Sequence, residues 1–219
     1  MAMTDQDTAG TIDKPGRGRP RAFCRETALR KAMETFWALG YEGASMAELT
    51  RAMGVGSPSL YAAFGSKDAL FREACRLYER ESSGAMIAAI EDPATAREGI
   101  EGYLMTTADG LSAPGHPPGC MIVLAAVSAH GACEAAREEL KGRRTAVVAM
   151  LERRLARGVA SGELPKGLDI AAIAAFYVTV QQGMSIQAVD GASTETLRGV
   201  ARGAMAAWDG LVGAGAAPD

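Results

Sequence analysis

The stretch GVGSPSLYAAFGSKDALF, residues 54–71, sets a very short apolar segment between glycines and opens it with Ser57-Pro58. A serine hydroxyl can cap the free N–H groups of a helix start, and proline suits the first helical position because its φ is already fixed there. Gly65 closes the segment and Ser66-Lys67-Asp68 announces another helix. The spacing predicts a helix over Ser59 to Phe64. Helices under about 12 residues are marginal in water because nucleation is costly. A segment this short is therefore held by its neighbours.

Those neighbours lie immediately upstream. In SMAE, Ser45 to Glu48, the hydroxyl and the carboxylate can each satisfy a backbone N–H at a helix start. The helix they open runs to Met53, and Gly54-Val55-Gly56 makes a tight turn after it. Before it, Leu29, Ala32, Met33, Phe36 and Trp37 recur at three- and four-residue spacing up to Gly40, which predicts an amphipathic helix and its stop. Two short helices joined by a glycine turn and packed on a longer one form a helix-turn-helix. The second helix is short enough to enter a DNA major groove, about 12 Å wide, with its N-terminal residues toward the bases.

Downstream, the pattern stays helical. Ser66 starts a long helix carrying Leu70, Phe71, Ala74, Leu77 and Tyr78, and Asp92-Pro93 opens one that reaches Leu111. SAPGHPPG, residues 112–119, reads as a loop, followed by helices over Cys120 to Ser128, Glu134 to Ala160, Asp169 to Val189 and Thr194 to Val212. No run alternates with period two, so the fold class is all-α. The expected organisation is a basic arm over 1–21, a helix-turn-helix over 22–66 and a larger helical body over 67–219.

Composition narrows the function classes. The 219 residues are 48% hydrophobic but only 5% aromatic, so packing rests on small side chains and close backbones. The longest apolar run, Ile170 to Val180, falls short of the roughly 20 residues a membrane helix requires. The N-terminus lacks an apolar stretch behind a basic start, so no membrane partner and a cytoplasmic address are expected. Cys24, Cys75, Cys120 and Cys133 are then expected as reduced thiols. The formal charge of -3 conceals a basic segment from Lys14 to Arg72 joined to an acidic remainder. That asymmetry directs the first third of the chain toward a polyanion.

GRPR followed by a helix, then FWALGYEGASMAELTRAMGVGSPSLYAAFGSKDALF, strongly resembles the DNA-binding domain of TetR-family transcriptional regulators over Gly18 to Tyr78. The resemblance implies an all-helical homodimer, with a three-helix head that binds a palindromic double-stranded DNA operator. It implies a larger body that holds an unknown small-molecule effector, whose binding releases the head. On the matching positions it implies phosphate contacts from Tyr61 and Lys67, and contacts to bases or phosphates from Ser57 and Ser59. A helix start such as that at Ser45 offers N–H groups to a phosphate, and Arg17, Arg19 and Arg21 of the arm can enter a minor groove or bind the backbone.

The body carries no motif of comparable specificity. Tyr103, Met121, Leu124, Phe176, Tyr177, Gln181 and Met184 combine apolar walls with a few polar groups and are the candidate pocket. Asp169 to Val189 is apolar around most of its circumference, so Phe176 and Val180, with Leu197, Val200, Met205, Trp208 and Leu211 of the last helix, are the candidate dimer interface. The only two histidines each precede a cysteine closely, in HPPGC (His116, Cys120) and HGAC (His130, Cys133). A metal- or thiol-responsive regulator is one alternative they raise; small thiols beside loop histidines are the commoner meaning, and no resident metal or cofactor is assigned. A hydrolase using Cys120 with His116 or His130 is a second alternative without a supporting motif, and a protein-binding helical scaffold is a third.

Overall fold

The computed structural model describes residues 24–213. Arg17, Arg19 and Arg21 lie outside them. The described residues form ten α-helices and no strand: α1 (Arg25–Gly43), α2 (Met46–Met53), α3 (Ser57–Phe64), α4 (Lys67–Glu91), α5 (Ala96–Leu111), α6 (Met121–Ser128), α7 (Glu134–Ser161), α8 (Ile170–Val189), α9 (Thr194–Met205) and α10 (Trp208–Gly213).

The local start and stop chemistry accounts for most of these boundaries. Ser45 Oγ accepts from the Glu48 N–H at 3.1 Å to open α2, and Ser66 Oγ accepts from the Ala69 N–H at 3.1 Å to open α4. Gly54 and Gly162 end α2 and α7 in the left-handed conformation. Gly40 breaks the run of α1 with φ 69°, so only Tyr41 to Gly43 continue beyond it. A Cβ there would also come within 2.7 Å of the Ser128 Cβ on α6, so both conformation and space require glycine.

Three boundaries differ from expectation. Gly56, not Ser57, precedes α3, and Ser57 is already its first helical residue. α5 opens at Thr95 instead of Asp92, because Thr95 and Glu98 form a capping box with both reciprocal bonds made. The last helix is broken at Ala206-Ala207 into α9 and α10, which turns Trp208 inward.

Two hydrophobic cores hold the helices together. The first joins α1, α2 and α3 to α4 as far as Leu77, and takes in Met121, Ile122 and Ala125 of α6, Ala129 and Ala132 after it, and Ala136 and Leu140 of α7. Its centre is Phe36, Tyr41 and Phe71, with ring centroids 5.0 to 6.2 Å apart. The second gathers α5, α8, α9 and the later part of α7 around Tyr103, Tyr177, Leu151 and Leu155. Each large side chain buried in them stabilises the fold by about 1.5–3 kcal/mol. Because α6 and the start of α7 belong to the first core, α1, α2 and α3 are anchored directly to the body.

Candidate nucleic-acid interface and ligand cavity

The short helix α3 is held by one face and free on the other. Leu60 and Phe64, four residues apart, are buried at 0% and 5% exposure. Ser57, Ser59 and Tyr61 are exposed, Tyr61 at 48%. An exposed tyrosine beside two serines at a helix N-terminal end has hydroxyls free to donate and accept. Ser45 is also exposed, and its hydroxyl is engaged as a cap while the helix start keeps further N–H groups.

Lys67 occupies a tighter place than a solvated lysine. Its Nζ lies 4.4 Å from the centroid of the Tyr41 ring, and burial lowers its pKa against the opposing pull of Asp68 and Glu42. Asp68 in turn accepts from Tyr41 Oη at 3.0 Å and from the Cys133 N–H at 2.9 Å, which ties the start of α4 to α1 and α7. Burial pushes the Tyr41 hydroxyl pKa well up, and the Asp68 bond pushes it further. Glu139 on α7 adds a second tie, with Arg72 at 2.6 Å, Arg76 at 3.1 Å and Arg143 at 2.7 Å.

A cavity of about 660 Å³ lies between the two cores, within the range of small-molecule sites. Tyr78, Met86, Tyr103, Val147, Met150 and Gln181 are among its walls. Trp37 of α1 is another, so the helix-turn-helix unit contributes directly to the cavity. Its Nε1–H donates to the Gly119 carbonyl at 3.0 Å, its ring stacks on His116 at 4.6 Å, and its edge meets Tyr78 at 4.8 Å. The next residue in the chain, Cys120, donates its N–H to Ser185 Oγ at 2.7 Å. The loop before α6 is thus strapped to α1 on one side and α8 on the other.

Of the candidate pocket residues, the structure brings Tyr103 and Gln181 to the cavity. On α8 the cavity side is formed by Val178, Gln181 and Gln182, spaced three and four apart. Tyr177 and Met184 face the second core instead, Tyr177 lying 6.1 Å from Trp208, and Phe176 is 37% exposed on the outer side. On α6, Ile122 and Val123 line the cavity, whereas Met121 is buried in the first core and Leu124 packs toward Gly119. Helical register is the reason for each difference. Trp37, Tyr78, Val147 and Met150 were missed, although the spacing of Val147 and Met150 on α7 offered a signal.

The candidate dimer residues divide in the same way. Leu197, Met205 and Trp208 are buried within the protomer at 0%, 7% and 5% exposure, because α9 lies against α5, where Arg198 holds Asp109 at 2.6 Å. Leu211 packs partly against the same core. Phe176 is exposed and Val180 half-buried. Ile186 at 51%, Val189 at 49% and Val200 at 41% are large apolar side chains exposed nearby on α8 and α9.

The His/Cys set is not assembled. His116 and Cys120 line the cavity, while His130 and Cys133 are exposed at the α6–α7 turn. No group of three or more His, Cys, Asp or Glu among the described residues is placed to hold a metal ion. His116 Nδ1 lies 2.8 Å from the Pro117 carbonyl. No described helix is long and apolar enough to cross a membrane.

Comparison with known proteins completes the picture. Residues 28–74 match the model of bacterial regulatory proteins of the tetR family, and residues 97–204 match the tetracyclin repressor-like C-terminal domain. The HTH-type transcriptional repressor ComR of Escherichia coli (strain K12) is 32% identical over 200 residues, 91% of this chain and 95% of that protein. The structure of a cysteine mutant of the TetR family regulator CifR, complexed with 26bp double-strand operator DNA, is 43% identical with a TM-score of 0.81, covering 87% of this chain and 100% of that one. A TetR regulator from Rhodococcus sp. RHA1 is 34% identical with a TM-score of 0.54, over 83% of this chain and 97% of that one. With a head whose short helix is free on one side and a body that encloses a cavity, the chain belongs to the TetR family of transcriptional regulators.

Proposed function

We propose that the protein is a transcriptional repressor that binds a palindromic double-stranded DNA operator as a homodimer and leaves it when a small molecule fills the cavity. Trp37 carries this reading: one side chain of the DNA-binding head is both a wall of the cavity and a hydrogen-bond donor to the loop beside it. A ligand there meets the head directly. It releases DNA by favouring the arrangement in which the two heads no longer fit successive grooves, and only its differential affinity for the two arrangements does so.

The exposed hydroxyls of Ser57, Ser59 and Tyr61 supply the DNA contacts, joined by the α2 start at Ser45 and by Lys67. The exposed apolar residues Phe176 and Ile186 of α8, with Val200 of α9, supply the dimer contact in a helical-bundle arrangement. Nothing in the relatives supports a hydrolase or a metal sensor. Selection of bound sequences from a random duplex pool, followed by titration of the winner at several salt concentrations, tests the reading. An enriched palindrome bound with salt dependence is expected; no enrichment at low salt by a folded dimer would overturn it.

A further inference from the structure

The inward stripe of α7 runs from Ala136 and Leu140 in the first core to Leu151 and Leu155 in the second. Arg144 lies four residues after Leu140 and seven before Leu151, so it shares their face, at the level where the two cores part and the cavity opens. A cation in an apolar stripe demands a partner. The other charges of the cavity wall have theirs: Arg30 with Glu81 at 2.6 Å, Glu34 with Lys31 at 2.7 Å, and Glu79 with Arg143. Among the described residues Arg144 joins no ion pair, and its Nη1 is buried with no hydrogen-bond acceptor.

A second group in the same wall is in the same position. Tyr103 is 0% exposed, and its hydroxyl finds no partner among the described residues. Buried donors are nearly always satisfied in folded proteins. With Arg143 Nε, which is also buried without an acceptor, these are three unmatched donors on two packed helices around one cavity, and they specify an acceptor that arrives from outside the chain.

We infer that the ligand of this cavity is an amphipathic organic monoanion, a carboxylate on an apolar body, held by Arg144 and Tyr103. The inference rests on the reading of the cavity as the effector site. The planar fork of a guanidinium matches a carboxylate through two parallel N–H···O bonds, and the Tyr103 hydroxyl supplies a further donor. Met86, Val147, Met150 and Val178 offer the remainder of the ligand an apolar enclosure. One unpaired cation sets the charge at one. A second negative charge would find no unpaired cation among the described residues of the wall.

Calorimetric titration of the full-length protein with decanoate and with 4-phenylbutyrate, each beside its primary amide, tests this. Each acid is expected to bind at least about tenfold tighter than its amide, the size of a charge-assisted hydrogen bond. The preference should disappear in Arg144→Met, and Tyr103→Phe should weaken acid and amide alike by several-fold. If Arg144→Met does not fold, Arg144→Lys keeps the charge without the fork and should retain a reduced preference. Amides binding as tightly as acids, an acid preference that survives Arg144→Met, or no binding of either acid at millimolar concentration would each overturn the ligand class. Operator release, measured in parallel, separates the two readings. Acids that bind without releasing DNA sink the effector reading and leave the ligand class standing; release by acid and amide at equal concentrations sinks the class and leaves the effector reading.

Discussion

Replacing Tyr103 by phenylalanine should stabilise the protein while weakening its ligand. The ring sits in the middle of α5 at 0% exposure, packed into the second core, and phenylalanine keeps all of that packing. What the change removes is one hydroxyl that is buried with no partner among the described residues, and whose pKa burial pushes far up. An unmatched buried hydroxyl destabilises by about 1–3 kcal/mol. Allowing for the small void that the oxygen leaves, a gain of about 1 kcal/mol is expected, or roughly 2–4 °C in Tm for a chain of this length. Urea denaturation followed by circular dichroism, at one fixed protein concentration because a dimer's stability depends on it, should show a higher midpoint at unchanged slope. Tyr177→Phe is the control: its hydroxyl is equally unmatched, but it does not line the cavity, so stability should rise with ligand affinity unchanged. A drop of 1 kcal/mol or more in Tyr103→Phe would mean that the hydroxyl is bonded in solution. The unmatched-donor reasoning would then fail, and with it half of the support for a carboxylate ligand.

Four further outcomes follow from the geometry. Tyr61→Phe should weaken operator binding by about 1 kcal/mol per half-site in a gel-shift titration, with no change in thermal stability, since the side chain is 48% exposed. Ile186→Asp, placed on a residue 51% exposed in the protomer, should give a folded monomer by sedimentation that no longer shifts the operator; a dimer would place the interface elsewhere. Gly40→Ala should destabilise by about 2 kcal/mol or more, combining left-handed strain at φ 69° with the 2.7 Å approach to Ser128. Burial opposes ionisation of Asp68, but the Cys133 N–H and the Tyr41 hydroxyl outweigh it and hold its pKa below the ordinary value. The folded state therefore releases this proton more readily than the unfolded one. The resulting stability is present above the unfolded value of about 3.9 and is lost as pH falls through the lower folded value. In Asp68→Asn the urea midpoint should fall less steeply between neutral pH and pH 3 than in the parent.

Local chemistry made the head legible in the sequence. Ser45, Gly54, Pro58, Gly65 and Ser66 each act within a turn or two of themselves, so their residue types alone place α2, α3 and the start of α4. The capping box at Thr95 was equally local and lay hidden behind the stronger-looking Asp92-Pro93. The body was harder for a different reason. α8 is apolar on nearly every side, so periodicity does not say that Val178, Gln181 and Gln182 face the cavity, Tyr177 and Met184 the core, and Phe176 the outside. α9 is strongly amphipathic, but periodicity does not say whether its apolar face meets the protomer's own core or a partner; Leu197 is used by the protomer and Val200 lies outside. The contribution of Trp37 to the cavity was invisible, because an aromatic on an amphipathic face reads as core until the loop it binds is placed.

That contribution bears on how a repressor of this shape switches. Effectors in such proteins shift binding by a coupling free energy of about 1–3 kcal/mol. The Trp37 bond to Gly119 and its stack on His116 together amount to an interaction of that size, since one hydrogen bond contributes about 0.5–1.5 kcal/mol and an aromatic pair about as much again. A ligand need not deform the whole body. It is enough that the bound and free arrangements differ in whether this one strap is made, because α1 packs against α2 and α3 packs between α2 and α4. The remaining ties, Asp68 to Tyr41 and Cys133, and Glu139 to Arg72 and Arg76, join α4 to α1 and α7 without passing through the strap. On the proposed reading, a ligand that displaces the 112–119 loop opens this strap while those ties keep the head on α4 and α7, so the head turns more than it shifts. Rotation, more than translation, spoils the match of two recognition helices to successive grooves.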